Sequence, residues 1–114
     1  MDLATQRTAY VQRLDEATRR AVETLSLVAG VERVSVFGSS RGRRDLFTDL
    51  DLLVVWRTDR PVLDRLRYLH SILDVGVDLD IVCYTPEELQ KLSDHRFVRR
   101  IRGEEVVLYE RQPG

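Results

Sequence analysis

Asp49-Leu50-Asp51-Leu52-Leu53-Val54-Val55-Trp56 sets two carboxylates one residue apart at the head of an otherwise apolar run. In a β-strand successive side chains alternate between faces. Leu50, Leu52, Val54 and Trp56 therefore share one face, and Asp49, Asp51, Leu53 and Val55 share the other. Upstream, Val31 to Phe37 reads as a second short strand ending at Gly38, with the charged segment from Arg41 to Thr48 between the two. Downstream, Val77 to Tyr84 repeats the alternation: Val77, Leu79, Ile81 and Cys83 stand against Asp78, Asp80, Val82 and Tyr84. Around these strands lie helical stripes. Leu3, Tyr10, Val11, Leu14, Ala17, Ala21, Val22, Leu25 and Val28 predict a long first helix over about residues 3–28, and Val62 through Leu73 predict another. Thr85, Pro86 and Glu88 supply a hydroxyl cap, a first-turn proline and a capping-box glutamate for a helix running to about Leu92. Val106 to Tyr109 predicts a last strand. The expected architecture is α+β (α/β): a small mixed sheet with helices mainly on one face.

A length of 114 residues suits one domain, residues 1–114, with a core over about 30–109. The 18 basic and 19 acidic residues leave a net charge of −1, which argues against a general nucleic-acid binder. A lone cysteine, Cys83, excludes an internal disulfide and suits a reducing compartment. No segment reads as a secretory signal or approaches the ~20 apolar residues of a membrane span, so a cytoplasmic protein without membrane association is expected.

Residues i and i+2 of a strand lie roughly 6 to 7 Å apart on one face, so Asp49 and Asp51 can converge on a single cation. Two close carboxylates repel, and a hard cation such as Mg²⁺, which also binds phosphates, relieves that repulsion. Asp80 completes the cluster if its strand is the neighbour, with Asp78 as the alternative. An Asp-x-Asp alone is equally produced by an amphipathic edge strand. The preceding Phe37-Gly38-Ser39 separates the readings, because glycine lets backbone N–H groups approach phosphate oxygens and serine adds a donor. A helix starting at Ser39 or Ser40 would add its N-terminal dipole. Neither a P-loop nor a GxGxxG motif is present.

Val36-Phe37-Gly38-Ser39, nine residues, then Asp49-Leu50-Asp51-Leu52 resembles the signature of the polymerase β-like nucleotidyltransferase superfamily. Ser40-Arg41-Gly42 and Thr48 resemble its minimal, stand-alone branch, and the similarity continues through Asp80-Ile81-Val82 and Thr85-Pro86-Glu87-Glu88. The spacing from Gly38-Ser39 to Arg41-Gly42 is one residue shorter than the usual minimal pattern. The resemblance implies that Asp49, Asp51 and Asp80 are the catalytic and metal-binding residues for two Mg²⁺ ions. It also implies that Gly38, Ser39, Ser40 and Arg41 hold the phosphates of ATP or another nucleoside triphosphate. The implied reaction is in-line attack of an acceptor hydroxyl on the α-phosphorus, with release of pyrophosphate. Stand-alone members resemble antitoxins that pair with a helical HEPN-domain toxin and in some cases transfer AMP to it, so a HEPN partner and a homo- or hetero-oligomer are implied. The competing readings are a binding protein that covers its partner without catalysis, and transfer to a small molecule as in aminoglycoside-modifying relatives.

Arg96, Arg99, Arg100 and Arg102 form a basic cluster that reads either as a dock for an acidic partner, triphosphate or RNA, or as a solvated helix face. His70 and His95 lack a second histidine at metal spacing, and Trp56 and Tyr84 read as packing residues.

Overall fold

A computed structural model describes residues 2–38 and 50–112. The chain runs α1 (Leu3–Ser26), β1 (Val31–Val36), β2 (Leu50–Trp56), α2 (Val62–Ile72), β3 (Leu79–Tyr84), α3 (Pro86–Lys91), α4 (Arg96–Glu104) and β4 (Val106–Glu110). One four-stranded mixed sheet has the order β3-β2-β1-β4. β1 pairs antiparallel with both β2 and β4, whereas β2 and β3 are parallel. A parallel pair needs a crossover, and α2 supplies it. β2 is flanked by strands on both sides and covered on both faces, which is why its apolar residues from Leu50 to Trp56 are all buried.

The two faces of β2 divide as the alternation requires. Leu50, Leu52, Val54 and Trp56 join Leu14, Ala17, Ala21 and Leu25 of α1 and Leu69 of α2 in the larger core. Leu53 and Val55 join Leu89 of α3 with Val98 and Ile101 of α4 in a smaller one. The two longer helices thus lie on one face, and the short α3 and α4 cover the other from Leu53 onward. Truncating a buried leucine such as Leu52 in so closed a layer costs on the order of 2–5 kcal/mol.

Local signals place several boundaries. Asp2 caps α1 by accepting from Thr5 N–H at 2.8 Å. Thr85 Oγ1 accepts from Glu88 N–H at 3.1 Å while Glu88 Oε1 accepts from Thr85 N–H at 2.9 Å, the full capping box of α3. His95 caps α4, its Nδ1 accepting from Phe97 N–H at 3.3 Å. Trp56 packs against Tyr68, and its Nε1 donates to Ala29 O at 3.0 Å. Burial pushes the Cys83 thiol up to about 12, which suits its place in the larger core.

Some expectations shift. α1 ends at Ser26 and β3 begins at Leu79, two residues inside their expected limits. Leu3, Val62 and Leu63 belong to the helical stripes in sequence but are exposed. Arg65, polar in sequence, is buried instead, because all three of its guanidinium nitrogens donate hydrogen bonds. Nη1 and Nη2 donate to the two oxygens of Glu88 at 2.7 and 3.0 Å, and Nε donates to Arg60 O at 2.7 Å. Among the described residues no helix is long and apolar enough to cross a membrane.

Candidate active site

The register of β2 and β3 places Asp51 directly opposite Asp80. Paired residues of adjacent strands point to the same face, and neighbouring strands lie about 4.8 Å apart, so the two carboxylates stand side by side. Asp78 lies just before β3, its carbonyl accepting from Leu50 N–H at 3.1 Å. Asp80, rather than Asp78, is therefore the cross-strand neighbour of Asp51.

Both carboxylates stand on the face of Leu53 and Val55, one step beyond the apolar cover that α3 and α4 provide. Asp51 is half-buried and Asp80 exposed. At the end of β1, Phe37 N–H donates to Asp51 O at 3.2 Å and carries the chain into Gly38 with φ +66°. A Cβ built on Gly38 would lie 2.8 Å from Asp51 Oδ2. The position needs glycine twice over: for a left-handed backbone and for the space the carboxylate occupies.

Asp49, Ser39, Ser40 and Arg41, together with the helix expected at Ser39 or Ser40, lie outside the described residues. Among the described residues no group of three metal-ligating side chains occurs. Asp51 and Asp80 form a pair of hard oxygen donors on adjacent strands, beside a glycine whose missing side chain leaves the carboxylate room. That donor chemistry fits Mg²⁺.

Sequence reasoning missed a second polar cluster on the same face. Ser35, fully buried, donates to Glu105 Oε1 at 2.6 Å; Arg102 Nε donates to Glu105 Oε2 at 2.8 Å; Arg33 Nε stands 3.6 Å from Oε1. The signal was available, since Arg33 and Ser35 are polar residues interleaved with the core residues Val34 and Val36 of β1.

Two solved structures share this arrangement of strands and helices. One, described as a minimal nucleotidyltransferase, is 34% identical with a TM-score of 0.55, covering 82% of this chain and 93% of its own. The other, described as a nucleotidyltransferase from Sulfolobus solfataricus, is 19% identical with a TM-score of 0.59, covering 98% of this chain and 90% of its own, and speaks to the fold alone. No family model matches the chain, and no curated protein matches it. The fold and the identity over most of both chains define a nucleotidyltransferase of the polymerase β-like class. Within that class, the chain belongs to the minimal nucleotidyltransferase family.

Proposed function

We propose that the chain is a Mg²⁺-dependent nucleotidyltransferase that moves AMP from ATP to a hydroxyl on a partner protein of the HEPN type, thereby acting as its antitoxin. The observation that carries the catalytic reading is the register that sets Asp51 against Asp80, with Gly38 packed on the Asp51 carboxylate. Asp51 and Asp80, with Asp49 from the segment leading into β2, would hold the metal. Bound Mg²⁺ supplies charge neutralisation at the nucleotide phosphates and lowers the pKa of a coordinated hydroxyl.

The chain's own residues would do the rest. Gly38 lets the backbone after β1 approach the phosphates, with Ser39, Ser40 and Arg41 as donors. Asp80, which is exposed, would orient the acceptor hydroxyl and accept its proton. The hydroxyl oxygen forms a bond to the α-phosphorus as the bond to pyrophosphate breaks. Holding both reactants in line supplies most of the rate. The HEPN acceptor and the choice of AMP rest on the resemblance to stand-alone family members.

The test is transfer of label from α-labelled ATP to a co-purified HEPN protein, with and without Mg²⁺, by the native chain and by Asp80→Asn. Label should appear on the partner with native protein plus Mg²⁺ only. A tight complex that never acquires label would leave a binding protein in place of the enzyme.

A further inference from the structure

A cleft of about 960 Å³ opens at the end of the sheet opposite the carboxylates, between α3, α4 and the start of β1. Val55 lies in its lining, four residues or roughly 13 Å along β2 from Asp51. Its walls carry Arg33, Arg99, Arg102 and Arg111 against only two carboxylates, Glu32 and Glu110. Glu32 is already engaged by Arg57 Nε at 3.2 Å. Arg102 is engaged by Glu105, whereas Arg99 and Arg111 form no ion pair among the described residues.

Arg33 makes the cleft more than a basic surface. Its Nε and Nη2 are buried and have no hydrogen-bond partner among the described residues. Glu105 Oε1 forms an ion pair with Arg33 Nε at 3.6 Å, too long for a hydrogen bond, while the Glu105 oxygens accept from Ser35 and Arg102. A guanidinium with one long ion pair and no hydrogen bond on this edge is incompletely satisfied, and an anion could supply the missing acceptors once the partly exposed side chain turned toward the cleft. A lone carboxylate is satisfied by one guanidinium fork. Several underused arginines around one cleft suit the three oxygens of a phosphate group better.

We propose that this cleft is a second, Mg²⁺-independent site that binds a phosphate monoester or short polyphosphate through Arg33, Arg99 and Arg111. It stands apart from the nucleotidyl-transfer site and does not depend on that reading. The chemistry is shared by a free nucleotide and by the 5′-phosphate end of a short RNA. A long nucleic-acid backbone is disfavoured by the net charge of −1 and by the glutamates at the rim.

The test is calorimetric titration in EDTA with AMP, inorganic pyrophosphate, and a trinucleotide carrying either a 5′-phosphate or a 5′-hydroxyl. Saturable binding should persist in Asp51→Asn and weaken about tenfold or more in the exposed pair Arg99→Ala/Arg111→Ala. Arg33→Met should weaken it further; if that variant fails to fold, the exposed pair decides alone. AMP binding identifies a nucleotide ligand, whereas binding of only the 5′-phosphorylated trinucleotide identifies an RNA end. Absence of saturable binding to any probe without Mg²⁺ overturns the proposal. So does binding that is lost in Asp51→Asn or that is indifferent to the arginine pair.

Discussion

The β1–β2 pair is bounded at each end by a glycine with positive φ, and the two glycines avoid different things. At Gly30, φ +91°, a Cβ would lie 2.3 Å from the backbone oxygen of Arg57 and 3.2 Å from the Trp56 ring. At Gly38, φ +66°, it would lie 2.8 Å from a side-chain oxygen of Asp51. The Gly30 end is tied down: Arg57 N–H donates to Gly30 O at 2.8 Å, and its side chain reaches Glu32 and Glu87. The Gly38 end instead sets Asp51 beside Asp80 on the neighbouring strand. One end of the same ladder is tied by backbone and ion pairs, and the other carries the carboxylates of the proposed site.

The widest separation should come from Asp51→Asn. Transfer should fall by about a thousandfold, the scale of losing one charge-stabilising group in a transition state, while urea unfolding shifts by less than about 1 kcal/mol. A variant that turns over normally would remove Asp51 from the site. Gly30→Ala should do the reverse. The new methyl meets backbone rather than a movable side chain, so a stability loss of about 3 kcal/mol is expected, measured as a lower urea midpoint. Activity of the fraction that stays folded should be close to native.

Gly38→Ala sharpens the contrast, because the same substitution at the other end meets a carboxylate that can swing away. Left-handed strain costs about 1 kcal/mol for a non-glycine residue. Displacing Asp51 from its place should cost transfer on the order of a hundredfold, since small misplacements of reacting groups are expensive. If Gly38→Ala loses stability as heavily as Gly30→Ala and keeps full turnover, the division between the two ends is wrong.

How far the sequence revealed this division depends on what kind of interaction makes it. The alternation in β2 and β3 was legible because a period of two is a local property, and it assigned every face correctly from Leu50 to Trp56 and from Leu79 to Tyr84. The Thr85-Pro86-Glu88 helix start was legible for the same reason. That β2 and β3 are neighbours, and that Asp80 rather than Asp78 faces Asp51, are matters of register between segments joined by a helix; no local pattern encodes them. The burial of Arg65 has no local signal, because its partner Glu88 lies 23 residues away in sequence. The incomplete hydrogen bonding of Arg33 was equally hidden, since Glu105 is shared with Ser35 across 70 residues. Asp49, Ser39, Ser40 and Arg41 remain readings of sequence and resemblance.

The smallest effect concerns how the tied end is held. Glu88 joins the Arg65 fork to the Thr85 cap, and these hydrogen bonds, Arg65 first, hold its carboxyl below the ordinary carboxylate value against the opposing effect of burial. A carboxyl whose folded pKa lies below its unfolded one stabilises the fold fully above the unfolded value, here near 4.5, and loses that contribution as pH falls through the folded value. Other carboxylates, Asp2, Glu16 and Glu87 among them, are shifted the same way, so the acid limb of native stability alone does not isolate Glu88. A difference does. Glu88→Gln should be less stable than native at pH 7, and the gap should close as pH is lowered well below 4.5, measured by paired urea titrations. Thr85→Ala removes a neutral hydroxyl cap that contributes least to the Glu88 shift, and should cost about 1 kcal/mol with a much weaker pH dependence. If the two variants respond to acid alike, the Arg65–Glu88 charge contributes nothing beyond the cap.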